Sequence, residues 1–209
     1  MELGKYRQIF VTGIGTGVGK TLVSAILSEY LSADYWKPVQ SGDLNDSDSM
    51  QIRKLCSSQV LIHPEAYKLA WPISPHAAAA REGLEIDIKK ISLPTTFNNL
   101  VIEGAGGLLV PVNADKTMAD LIEHLNVPVV VVSKNYLGSI NHTLLTFEAL
   151  RSRNLDVAGI IFNGEENRES EEIICRKASV PCLLNIREEK YIDRETVLKY
   201  AGVLKKTYG

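Results

Sequence analysis

The residues Gly13–Thr21 read GIGTGVGKT, four glycines closed by a lysine and a threonine. That combination suits a polyphosphate. Phosphate oxygens must come close to backbone N–H groups, so bulky Cβ atoms are excluded and glycine accepts the tight path. Lys20 adds a full charge, worth a few kcal/mol against a phosphate at contact distance for an effective dielectric near ~20. The Thr21 hydroxyl can ligate Mg²⁺. Before the loop, Gln8–Thr12 (QIFVT) reads as a strand. After it, Lys20–Leu31 reads as a helix, with Leu22, Val23, Ile26, Leu27 and Tyr30 on one face. A helix N-terminus then aims its positive end at the bound anion. The strict spacing GxxxxGK[ST] is not met, because Ile14 stands where its first glycine belongs.

Phosphoryl chemistry also needs a cation and something to hold it. Glu103 ends the apolar run Asn99–Glu103 (NLVIE), a position suited to a metal-side carboxylate. Asp43, Asp46 and Asp48 crowd one loop, and each could ligate Mg²⁺ or, like Ser47, cap the short helix that ends near Cys56. Lys37 sits at the carboxyl end of the predicted strand Asp34–Val39, which is expected beside the phosphate-loop strand; alone it reads as an ordinary exposed lysine. Gly104, Gly106 and Gly107 suggest close approach to substrate or phosphate. Thr16 and Ser41 carry hydroxyls that, taken alone, read as turn residues.

Short apolar runs alternate with helical patterns, which predicts a mostly parallel sheet with helices on both faces. Further strands are expected at Val127–Ser133, Val157–Asn163 and Val180–Leu184, with a short extended piece at Leu108–Val112. Helices are expected at Pro75–Glu82, Met118–Leu125, Asn141–Arg153, Glu169–Ala178 and Asp193–Lys205. Leu61–Pro75 reads as irregular. No repeat, low-complexity stretch or linker divides the 209 residues, so residues 1–209 are read as one catalytic domain.

The bulk composition adds exclusions. A net charge of −2 gives no electrostatic reason to expect nucleic acid or an anionic membrane as partner. Apolar runs such as Val127–Val132 are far too short to span a bilayer, and MELGKYRQ lacks the apolar stretch of a signal peptide, so a cytoplasmic location is expected. Cys56, Cys175 and Cys182 form no CxxC pair and read as three reduced thiols; the four histidines are isolated from one another.

Several blocks together resemble dethiobiotin synthetase, an ATP-dependent enzyme family of biotin biosynthesis with the P-loop NTPase fold. The loop is similar to that family's GTxTxVGKT at Thr16, Val18, Gly19, Lys20 and Thr21. Trp36–Gly42 (WKPVQSG), Asp48, Ser74–His76 (SPH), Glu103–Gly107 (EGAGG), Leu137–His142 (LGSINH) and Asn163 follow in the family's order. The resemblance implies that 7,8-diaminopelargonate takes up CO₂ as a carbamate, that ATP phosphorylates the carbamate, and that the second amine closes the ureido ring. It implies nucleotide contacts at Gly15–Thr21, Glu103, Gly106 and Asn163, and Mg²⁺ at Thr21, Asp48 and Glu103. Lys37, Lys20, Thr16 and Ser41 then belong to the reaction centre, with Ser41 on the carbamate side. The diamine's carboxylate would be bound by Gly138, Ser139, Ile140 and Asn141 of the partner subunit, which implies a homodimer. His142 reads as a structural histidine.

The C-terminal third departs from the family's pattern. After Val180–Leu184 the chain reads LLNIREEKYI, without the Gly and Pro of the adenine-framing loop, and Gly164 stands where an Asp is common. Relaxed base discrimination is therefore expected. A second reading is a partitioning or septum-positioning ATPase switch of the same fold, acting through protein partners. Its loop typically reads KGGxGKT, and Gly15 and Thr16 stand at the lysine and first-glycine positions here. An amidating synthase of the cobyrinate type would need a glutaminase domain for which no length remains.

Overall fold

The computed structural model describes residues 3–209. Its centre is a seven-stranded parallel sheet in the order β4-β2-β6-β1-β7-β8-β9. The strands are β1 (Gln8–Gly13), β2 (Ala33–Trp36), β4 (Ile62–His63), β6 (Asn99–Glu103), β7 (Val129–Lys134), β8 (Val157–Asn163) and β9 (Cys182–Ile186). On one face pack α1 (Lys20–Leu31), α2 (Asp48–Leu55) and α7 (Arg194–Tyr208); on the other pack α3 (Pro75–Arg81), α4 (Met118–Leu125), α5 (Ser139–Ser152) and α6 (Arg168–Ala178). The all-valine run of β7 explains its central place. Val130 and Val132 join the core under α1, while Val129 and Val131 join the opposite core.

The predicted strand Asp34–Val39 is two strands. Lys37 and Pro38 interrupt it, since proline has no N–H for the ladder. The chain leaves the sheet and resumes as β3 (Val39–Ser41), which pairs with β5 (Tyr67–Leu69) in a separate two-stranded parallel sheet. The expected neighbourhood of Lys37 is also corrected. The β2 strand lies between β4 and β6, and β6 separates it from β1. Strand order depends on pairings distant in sequence, which local periodicity does not report.

Leu61–Pro75 is less irregular than expected, because it contains β4 and β5. Leu108–Val112 is not a strand; its ladder contact is one isolated bridge from Pro111 to Thr117. Two short 3₁₀ turns, Leu3–Lys5 and Ile88–Lys90, carried no periodic signal, and α5 begins two residues earlier than its apolar pattern suggested. Among the described residues no helix is long and apolar enough to cross a membrane. All three cysteines are free thiols.

The loop following β6 is held down by α4 and its capping box. Thr117 N–H and Oγ1 donate to Asp120 Oδ2 at 2.8 and 2.6 Å, and Arg153 reaches Asp120 Oδ1 at 3.3 Å. Burial opposes the Asp120 charge, but these donors outweigh it and pull the carboxyl down to about 2. A depressed folded-state value stabilises above the ordinary carboxylate range, and that contribution is lost as pH falls toward about 2. Asp120→Ala is therefore expected to cost about 1–2 kcal/mol at neutral pH. Urea unfolding should show the deficit shrinking between about pH 4 and pH 2.

Candidate active site

The carboxyl ends of β1, β2 and β6 open into one cleft of about 570 Å³, whose lining includes Thr16, Lys20, Lys37, Ser41, Asp48 and Glu103. That is where parallel α/β sheets place ligand sites. The sequence-predicted residues from four separate segments therefore meet in one place.

The phosphate loop is shaped as a cradle. Gly19 is the residue before α1 and has φ 99°; a Cβ there would lie 2.2 Å from the Asn163 amide nitrogen. Only glycine fits both demands. Asn163 Nδ2 in turn donates to the Val18 carbonyl at 2.9 Å, so the end of β8 holds the loop's backbone. Lys20 Nζ donates to the Gly15 carbonyl at 2.9 Å, folded back across the loop. Burial is the main influence on Lys20 and lowers its pKa to about 8, with Glu103 opposing. Thr16 and Gly17 lie exposed at the loop's tip and line the cleft.

Beside the loop lies a compact charged cluster. Lys37 Nζ sits 2.7 Å from Asp48 Oδ2 and 3.2 Å from Glu103 Oε1, with both Lys37 and Glu103 buried. Thr21 Oγ1 lies 2.6 Å from Asp48 Oδ1 and 2.9 Å from Glu103 Oε1. Burial works against the Lys37 cation, but Glu103 and Asp48 outweigh it and raise its pKa above the ordinary lysine value. Burial likewise works against ionised Asp48, and Lys37 overcomes it, holding that carboxyl below the usual range.

The three acidic candidates of the 43–48 loop are now distinguished by position. Ser47, not an aspartate, caps α2 by accepting from Met50 N–H. Asp46 is exposed and paired with Lys54 at 2.7 Å. Asp43 lines the cleft, while Asp48 alone of the three touches Thr21 and Lys37.

The donor set fits Mg²⁺. Thr21 has one proton and stands near two carboxylate oxygens, so it can satisfy only one at a time and keeps lone pairs for a cation. All three candidate ligands are oxygens, and two carboxylates are the usual protein share when phosphates and waters complete an octahedron.

Two expectations change in detail. Gly106 lines the cleft, and the glycines after Glu103 also answer packing demands of the protein itself. A Cβ on Gly104 would meet the Phe10 ring at 2.7 Å, and Gly106, with φ 65°, would meet Val110 at 2.7 Å. Ser139 is buried, and its N–H is given to the Tyr136 carbonyl at 2.9 Å, whereas Gly138, Ile140 and Asn141 are exposed. Gly138, Ile140 and Asn141 border a second cleft that shares no lining residue with the first. His142 is tied to the Tyr136 hydroxyl at 2.7 Å.

Two site residues escaped the sequence reading. Tyr35 donates its hydroxyl to Glu103 Oε2 at 2.8 Å, and Gln40 lines the cleft with its Oε1 buried and unpartnered. Strand alternation held a signal for the first: Tyr35 lies level with Val101, two residues before Glu103 on the same face. Ser41 Oγ is also buried without a partner in the cleft wall.

Comparison with known proteins is consistent with this geometry. Two solved structures share the fold at low sequence identity and speak to the fold alone. A ParA family ATPase from Chlorobium tepidum superposes with a TM-score of 0.58 at 15% identity, covering 96% of this chain and 92% of that one. The septum site-determining protein MinD from Pyrococcus horikoshii, complexed with Mg-ADP, gives 0.58 at 16% identity, covering 97% of each chain. A family model described as an AAA domain matches residues 7–196. Sequence relatives are far nearer. The ATP-dependent dethiobiotin synthetase of Christiangramia forsetii is 50% identical over 96% of this chain and 97% of its own. That of Cytophaga hutchinsonii is 53% identical over 93% and 95%. Identity at that level, across nearly the whole length of both relatives, means that the chain belongs to the ATP-dependent dethiobiotin synthetase family.

Proposed function

We propose that the chain, acting as one catalytic domain, converts 7,8-diaminopelargonate, CO₂ and ATP into dethiobiotin, ADP and phosphate. The observation that carries this reading is the single cleft in which the phosphate loop, the Lys37–Asp48–Glu103–Thr21 cluster and the unpartnered Ser41 hydroxyl face one another. A carbamate oxygen must attack the γ-phosphorus while ADP leaves, so two anions have to be brought together. Their repulsion is the barrier the site must lower, and phosphoryl transfer is catalysed mostly by positioning and charge.

In this reading the amides of Gly15, Gly17, Val18 and Gly19 and the Lys20 cation receive the β- and γ-phosphates. Thr21, Asp48 and Glu103 hold Mg²⁺, which when bound supplies charge neutralisation at the phosphate oxygens. Lys37 stands between the anions, and Thr16 and Ser41 offer hydroxyls to the reacting end. The second amine then attacks the carbonyl carbon of the mixed anhydride, closes the ring and expels phosphate. Gly106 and Asn163 flank the nucleotide.

The diamine's carboxylate is proposed to meet Gly138, Ser139, Ile140 and Asn141 of a second copy, Ser139 contributing through its place in the helix N-terminus rather than an open side chain. Two features support a homodimer: this segment borders its own cleft, and Tyr136, Leu137 and Ile140 expose apolar surface there. The proposed compartment is the cytoplasm.

The test is ATP hydrolysis with Mg²⁺, with and without the diamine and bicarbonate. The ligase reading predicts turnover only with both co-substrates. Hydrolysis indifferent to them, and stimulated instead by a protein partner, would support an ATPase switch. Base choice is a further check. Because LLNIREEKYI lacks the usual adenine frame, kcat/KM for GTP and CTP is expected within about tenfold of that for ATP. A preference for ATP of several hundredfold would contradict that expectation.

A further inference from the structure

We propose that Tyr35 is a positioning residue for the metal-side carboxylate, an inference that rests on the reading of Glu103 as a Mg²⁺ ligand. Glu103 is 1% exposed, so neither of its oxygens can rely on water for orientation. The two oxygens have different partners. Oε1 faces Thr21 and Lys37, toward the cleft. Oε2 accepts a 2.8 Å hydrogen bond from the Tyr35 hydroxyl.

The fold explains why Tyr35 can do this. The β2 and β6 strands are parallel and adjacent, with Tyr35 level with Val101. Side chains two apart on a strand share a face, so Tyr35 and Glu103 both point toward α1. The ring is fully buried in the core that lies under α1 and also holds Val101.

A carboxylate anchored at one oxygen presents the other in a fixed direction. Partners of this kind commonly change metal affinity by about 10–100-fold when removed. Tyr35→Phe keeps the ring and deletes only the hydroxyl.

The test is Mn²⁺ binding, followed by electron paramagnetic resonance, to the dimer or monomer as purified, with a non-hydrolysable ATP analogue present. Four proteins are compared: wild type, Tyr35→Phe, Glu103→Gln and the double variant. Tyr35→Phe is expected to weaken Mn²⁺ by about 10–100-fold, while affinity for the analogue without metal stays within about twofold, showing an intact fold. In the Glu103→Gln background the same change should cost little, because the carboxylate it orients is gone. In turnover, saturating Mg²⁺ should restore most of kcat to Tyr35→Phe. Wild-type Mn²⁺ affinity in Tyr35→Phe, beside a clear loss in Glu103→Gln, would overturn the role of Tyr35 alone. Equal losses from Tyr35→Phe in both backgrounds would mark a general packing effect and also overturn it. Undiminished affinity in Glu103→Gln would remove the metal reading beneath both.

Discussion

Replacing Lys37 by Ala is expected to lower turnover by about 10²–10³-fold, the scale of losing one charged group that stabilises a transition state. Nucleotide affinity should change far less, because Lys20 and the loop amides remain. The argument is geometric. A lysine that served only solubility would be exposed, but Lys37 is 4% exposed and its ammonium lies within 3.2 Å of two carboxylates. Burying that charge opposes ionisation, and only the two carboxylates keep it protonated. A pre-charged cation held beside the phosphate loop costs no reorganisation when a second anion arrives. Single-turnover kinetics separates the step from binding. Near-normal turnover in Lys37→Ala would contradict the assignment, as would a loss confined to KM.

Glu103→Ala is expected to lower activity by a similar ~10²–10³-fold and to shift the Mg²⁺ requirement upward. It removes the partner of Thr21, Lys37 and Tyr35 in a single change. A stability loss of about 1–3 kcal/mol should accompany it, since buried donors are left unpaired. Glu103→Gln, which keeps volume and one oxygen, separates the two effects: stability should largely return while the Mg²⁺ titration stays displaced. A Glu103→Ala protein that kept both its activity and its wild-type Mg²⁺ dependence would refute the metal assignment.

Both predictions concern residues whose meaning was only partly legible in the sequence. Gly13–Thr21 was legible because the strand, the glycines, Lys20, Thr21 and the helix are contiguous, so one segment carries its whole chemistry. The buried strands were legible for a similar reason, since β7 is valine on both faces. The meeting of Lys37, Asp48 and Glu103 was not, as it depends on strand order. The pairing of β2 with β6 brings together residues some sixty-six positions apart. Local reading put β2 beside β1 and carried it through Pro38, although the missing N–H of Pro38 was in plain view. Asp43, Asp46 and Asp48 could not be separated either, because each suits a helix N-terminus; contact with Thr21 and Lys37 separates them. Tyr35 went unnoticed because a tyrosine in an apolar strand reads as core. It is core, and its one polar atom reaches Glu103.

The most direct test of the whole account follows carbon from bicarbonate into product. Purified protein is incubated with ¹³C-bicarbonate, 7,8-diaminopelargonate, Mg²⁺ and ATP, and the products are read by mass spectrometry alongside phosphate release. The account predicts dethiobiotin carrying one ¹³C in its ureido carbonyl, with one phosphate released per ring closed. Phosphate release without labelled dethiobiotin, or no reaction by protein shown to bind the nucleotide, would contradict it.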